Sequence, residues 1–228
     1  MADTSSIKTV IPTSPSREDY ENEISTRHAP RDLSWTQSKD PIALFESWLS
    51  DAVSSEVNDP HAMALATVDT QSMPDVRMVL LKGVDVRGFV FYTNSQSAKG
   101  EQLKAQSNAA LCFHWKSLRR QVRVRGSVER VSEAESDAYF MSRARGSQVS
   151  AWASQQSQQV SNREELMAAT QAVEVKYKNQ DVPRPPHWFG WRVRPESLEF
   201  WQDGAFRLHD RIVFKTDKKG WVTFRLSP

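Results

Sequence analysis

Between residues 62 and 131 the chain passes through five short segments rich in β-branched and aromatic residues: AMALATV (62–68), VRMVLLKGV (76–84), GFVFYTN (88–94), AALCFHW (109–115) and RQVRVRGSVERV (120–131). They are punctuated by Asp, Asn, Gly, Ser or Pro, as strands joined by turns are. A helical stretch near 97–106 interrupts the series. Strands that follow one another through short turns, without a long helix after each, favour an antiparallel barrel or sandwich over a doubly wound parallel sheet. The pattern predicts a mainly β fold with flanking helices.

The flanks are marked by caps. Asp40 before Pro41 is a helix cap with a first-turn proline, and Ile42, Leu44, Phe45, Trp48 and Leu49 share one face, which predicts a helix over 41–56. Ser132 with Glu135 three residues on is a capping box opening a helix over 133–143. NREELMAATQAVEVKYKN predicts a helix over 162–179, closed by PRPP at 183–186. HWFGWRVRP, SLEFWQ, FRLHDRIVF and WVTFRL then return to strands, with Asp203-Gly204 as a hairpin turn. Residues 1–39, rich in Ser, Thr, Pro and charge, read as a mobile arm ahead of one domain over 40–228.

Several function classes lack support. A net charge of +2 is not that of a polycation, and RRQVRVRG (119–126) has no interleaved aromatics for stacking bases, which argues against nucleic acid. Cys112 is the single cysteine and the five histidines (28, 61, 114, 187, 209) have no metal spacing, so no metal site is expected. GxGxxG, P-loop and GxSxG motifs are missing. No apolar run reaches the roughly 18 residues of a membrane span, and no apolar signal core opens the chain, so a cytosolic protein is expected.

Three groupings carry chemistry. Tyr139 and Arg143 are four apart on the predicted helix, with Ser147 just beyond, and together they suit a phosphate monoester. An exposed pair of no consequence fits the same spacing. Arg77 and Lys82 bracket RMVLLK at an odd interval, so a regular strand would send them to opposite faces unless a bulge or a second chain intervenes. Arg207, His209 and Arg211 alternate, which fits either a solvated sheet face or an anion and ring site.

Taken together, LEFWQDGAFRLHDR (198–211), RMVLLK, FYTN, RRQVRVRG, YFMSRARGSQ and AWASQQS resemble, in order, the motifs of the pyridoxamine 5'-phosphate oxidases, over roughly residues 40–228. The resemblance implies an antiparallel, homodimeric split β-barrel holding flavin mononucleotide (FMN) between two subunits. It implies oxidation of pyridoxamine or pyridoxine 5'-phosphate by dioxygen to pyridoxal 5'-phosphate and hydrogen peroxide. The implied FMN contacts are Arg77, Met78, Val79, Leu80, Leu81, Lys82, Tyr92, Thr93, Lys99, Gln121, Gln156, Ser157, Trp201 and Arg211. Lys82, Tyr139, Arg143 and Ser147 would hold the substrate phosphate, while Arg207, Leu208 and His209 would meet the pyridine ring, with Arg207 and His209 as catalytic candidates. Arg17, Tyr20 and Asp59 match further substrate-side positions. The chain departs from the pattern at Ala98, where the family has an arginine, at Ala144, where it has a proline, and at Ser150, where a glycine is common.

Overall fold

The structure, a computed structural model, describes residues 15–26 and 32–228. After helix α1 (Arg17–Thr26) and a 3-10 turn at Ser34–Gln37, helix α2 (Pro41–Ser55) starts where the cap predicts, with the Asp40 carboxylate accepting from the amides of Ile42 and Ala43. The strands follow: β1 (Ala62–Val68), β2 (Pro74–Leu80), β3 (Gly83–Asp85) and β4 (Gly88–Asn94), then helix α3 (Ala98–Ala105), then β5 (Asn108–Trp115) and β6 (Arg120–Arg130). Three helices come next: α4 (Glu133–Met141), α5 (Arg145–Ala153) and α6 (Arg163–Lys176). Strands β7 (Trp188–Gln202), β8 (Asp210–Asp217) and β9 (Gly220–Arg225) complete the described chain.

The nine strands of the described residues join one antiparallel sheet, in the order β2-β1-β5-β6-β7-β4-β3, with β8 added to β7 and β9 to β8. Strand β7 is its spine. Residues 188–194 pair with β4 or with the end of β6, whereas residues 197–202 pair with the start of β6 and with β8. The register shifts between Arg125 and Gly126, and a Cβ on Gly126 would stand 1.8 Å from the carbonyl oxygen of Arg194. Only glycine admits that approach of two backbones, and the sheet bends there.

The concave side is filled by α2. Phe45, fully buried, meets Phe89 and Phe113 edge-on at 4.8 and 4.9 Å, and Trp48 meets Phe200 at 5.2 Å. Each such ring contributes about 1.5–3 kcal/mol by leaving water. A second, smaller core of Phe140, Val149, Val182 and Trp188 lies under the helices α4 and α5.

The structure corrects five expectations. RMVLLK is not one strand: β2 ends at Leu80, Leu81 and Lys82 form a break, and pairing resumes at Gly83. The predicted helix over 133–143 ends at Met141, and α5, which the sequence reading missed, follows at once. HWFGWRVRP and SLEFWQ are one continuous strand, because the bulge accommodates Pro195 without ending the ladder. FRLHDRIVF is a strand only from Asp210. Ala205–Arg207 forms a 3-10 turn, with Phe206 and Arg207 at positive φ, so Asp203-Gly204 is part of a longer loop and the alternating row does not exist. The expected arm lies partly outside the described residues; within them, residues 17–26 are helical and Trp35 is buried against Trp48, so the packed body begins before residue 40.

Candidate functional site

The break after β2 opens a cavity of about 550 Å³ between that strand, β4 and the helices α4 and α5. Its first wall is Met78, Val79, Leu80 and Lys82. Lys82 reaches it because the chain leaves the strand at Leu81: the Leu81 amide donates to the His61 carbonyl, its side chain enters the core, and the Lys82 amide donates to the Val90 carbonyl. This turn resolves the odd spacing, since Arg77 does not share the cavity. Its guanidinium instead donates to Gln102 Oε1 (2.9 Å) and the Leu65 carbonyl (3.1 Å), and pairs with Asp75.

The floor holds a buried cation. Lys99 hydrogen-bonds to the hydroxyls of Thr93 (3.2 Å) and Ser97 (3.1 Å), and Thr93 also donates to Gln156 at 3.2 Å. Burial first, and then the nearby Arg77 charge, push the Lys99 ammonium below its ordinary pKa. Ammonium with hydroxyl partners, and no carboxylate hydrogen-bonded to it among the described residues, is a donor set for an anion.

The far wall is aromatic. Tyr139 stacks on Tyr92 at 4.0 Å and nearly parallel to Trp188, while the Arg143 guanidinium lies 4.7 Å from the Trp188 ring centroid. Gly190 makes this possible, because a Cβ there would fall 2.7 Å from Tyr92 Cε1. Arg143 Nη1 is buried with no hydrogen-bond partner among the described residues, and burial lowers the pKa of the guanidinium. Ser147 lines the cavity alongside it. An orphaned buried N–H of a cation is costly unless an acceptor arrives.

The other expected residues lie elsewhere. Gln121, Trp201 and Arg211 stand in one cross-strand row, paired Gln121 with Trp201 and Trp201 with Arg211, but none lines the cavity. Arg211 is held by Glu199 at 2.8 Å and donates to the Ser227 carbonyl. His209 packs on Trp201 with ring centroids 4.7 Å apart. Its Nδ1 accepts from the Gly204 amide at 3.1 Å and lies 3.0 Å from Asp203 Oδ1, and these two contacts require opposite protonation of that nitrogen. Arg207 and Leu208 are exposed on the same loop. Tyr20 packs on Phe206 at 5.0 Å, Arg17 pairs with Glu21, and Asp59 and Ser157 sit in exposed positive-φ turns.

Two family models match the chain: that of pyridoxamine 5'-phosphate oxidase over residues 49–177, and the pyridoxine 5'-phosphate oxidase C-terminal dimerisation region over 188–228. A pyridoxine/pyridoxamine 5'-phosphate oxidase of Caulobacter vibrioides is 56% identical over 220 residues, covering 96% of this chain and 98% of its own. The chain belongs to the pyridoxamine 5'-phosphate oxidase family. A protein of the same name from Azorhizobium caulinodans is 58% identical over 196 residues, covering 85% of this chain and 92% of its own. The solved structure of PhzG from Burkholderia lata, in complex with tetrahydrophenazine-1-carboxylic acid, superposes with a TM-score of 0.81 at 30% identity, covering 87% of this chain and 98% of that one. The fold is thus the antiparallel split barrel of these oxidases, and the chain is an oxidoreductase of vitamin B6 metabolism.

Within that family's cavity, sequence reasoning missed Trp188, Asn94, Ala151 and Ser154. A signal existed for Trp188: it precedes Gly190 by two, so both share a strand face, and a tryptophan beside a bare backbone marks a place where rings lie flat. No helix of the described chain is long and apolar enough to cross a membrane.

Proposed function

We propose that the protein oxidises pyridoxamine 5'-phosphate or pyridoxine 5'-phosphate to pyridoxal 5'-phosphate, using FMN and dioxygen. The observation that carries this reading is the pair of cations in one cavity, the buried Lys99 and the half-buried Arg143 lying against the aromatic wall, neither hydrogen-bonded to a carboxylate among the described residues. Two anions and flat rings fit such a space. Lys99, Thr93, Gln156 and the Met78–Lys82 segment would hold FMN, so the residues present fit the cofactor. When bound, FMN supplies a two-electron acceptor that dioxygen regenerates with release of hydrogen peroxide.

The chain's own contribution is positioning. Lys82, Tyr139, Arg143 and Ser147 would grip the substrate phosphate and fix the pyridine ring at one height in the cavity. Arg207 would lie over the ring, and His209 would offer a polar or proton-handling contact. These two residues, with Gln121, Trp201 and Arg211, do not line the cavity of their own chain. They belong to the segment that resembles a dimerisation region, or pair with it, which supports a homodimer whose sites each draw on both subunits.

The test is a spectrum followed by substrate. Purified protein should be yellow, and should form peroxide and pyridoxal 5'-phosphate from either vitamer without a nicotinamide cofactor. Protein that stays inactive after FMN is added would remove the proposal.

A further inference from the structure

Glu135, Tyr139 and Arg143 are successively four residues apart, so they form one line along α4 and the turn that follows it. Arg192, Gly190 and Trp188 are successively two apart and share one face of β7. The two elements touch at both ends of these lines. Arg192 Nη2 donates to Glu135 Oε1 at 2.9 Å, and the Gly190 amide donates to Ser136 Oγ at 3.3 Å. Tyr139 and Arg143 then fall over Trp188, at 6.1 and 4.7 Å. The Arg143 amide still donates to the Phe140 carbonyl at 3.2 Å, so it rides on the last turn.

Four helical residues advance about 6 Å and two strand residues about 6.8 Å. The lines therefore run in step only when the helix sits at one height on the strand. One strong contact at one end sets that height. Arg192 provides it, with a side chain only 5% exposed and a second carboxylate, Glu129, at 3.8 Å. Glu135 divides its oxygens: Oε1 accepts from Arg192 and Arg87, while Oε2 accepts from the Ser132 amide and hydroxyl of the capping box. Sliding α4 by one turn would take Glu135 away from a buried guanidinium, which is strongly unfavourable.

We propose that the Arg192–Glu135 pair is the register lock of α4, positioning Tyr139 and Arg143 at the height where they receive a phosphate-bearing substrate. This rests on the reading above that Tyr139 and Arg143 bind the substrate phosphate. Neither locking residue lines the cavity, so both act through α4.

The experiment uses the full-length, FMN-loaded protein with Arg192→Met, Arg192→Lys, Glu135→Gln, Ser132→Ala and Arg143→Ala. It measures KM and kcat for pyridoxamine 5'-phosphate, inhibition by inorganic phosphate, and the near-ultraviolet circular dichroism of the stacked rings without substrate. Arg192→Met and Glu135→Gln should raise KM about tenfold with kcat within about twofold, the signature of lost uniform binding. Both should weaken phosphate inhibition alike and alter the ring signal, and Arg192→Lys should restore most of each. Ser132→Ala removes the cap hydroxyl and its bond to Glu135 Oε2 but leaves Oε1 on Arg192 and Oε2 on the Ser132 amide, so it should lower the melting temperature without moving KM. If Arg192→Met does not fold, Glu135→Gln decides. KM and phosphate inhibition within twofold of the parent in the locking variants, while Arg143→Ala changes both, would overturn the lock. So would a Ser132→Ala change in KM as large as that of Arg192→Met. An unmoved KM in Arg143→Ala would overturn the phosphate reading, and the lock with it.

Discussion

Arg143 is a cation kept ready: it lies half-buried over Trp188, and its buried Nη1 has no acceptor among the described residues. Truncating it should therefore cost substrate binding and spare the cofactor. Arg143→Ala is expected to raise KM for pyridoxamine 5'-phosphate by at least about tenfold, consistent with loss of a charge-assisted contact, while FMN retention by absorbance stays near that of the parent. Arg207→Ala should show a different profile, with oxidation falling much further than FMN content, and equal losses would assign Arg207 to the wrong ligand. The spacing of Tyr139, Arg143 and Ser147 was legible in the sequence because a helix converts an interval of four into a shared face. The contacts of Arg77 were not legible in the same way. Its place beside RMVLLK says nothing of Asp75 and Gln102, which the fold brings to its guanidinium from β2 itself and from α3.

Elements were most legible where a local device sets them. The Asp40 cap and the Ser132–Glu135 box mark true helix starts, since each satisfies amides that the helix leaves open. Departures arose where tertiary contacts override local pattern. Strand β7 runs through Pro195 because Gly126 yields space opposite it, and the loop after Gln202 abandons the strand period because Phe206 and Arg207 take left-handed conformations. Gly190 is the corresponding contact under the helices. Gly190→Ala should destabilise the protein by about 1–3 kcal/mol in a urea titration, because Tyr92 is stacked and has little room to yield. The acid limb of stability should report α4. Hydrogen bonds from the Ser132 amide, then Arg192, hold the Glu135 pKa at about 2 against an ordinary 4.5. A depressed carboxylate stabilises fully above the unfolded value and loses that contribution as pH falls towards the folded one. Urea midpoints measured from pH 5 to pH 2 should fall less steeply for Glu135→Gln than for the parent.

At the scale of the molecule, the family and its barrel were readable from the order of the motifs, and the same resemblance implies sites that lie between two subunits. Arg143 lines the cavity of its own chain and Arg207 does not, so under the proposed shared site the two should complement each other in trans. Mixing Arg143→Ala and Arg207→Ala subunits through unfolding and reassembly should recover about a quarter of the parent activity, since half the dimers are mixed and each has one intact site. Activity no greater than that of the separate variants would show that both residues serve the same chain's site. Strand β7 also carries a consequence for the chain as it leaves the ribosome. Strand β4, complete at Asn94, finds its partner only when Trp188–Val193 emerges about a hundred residues later. Until then β3 and β4 form a hairpin with an open apolar edge, and closure of the sheet is a late, long-range event during synthesis.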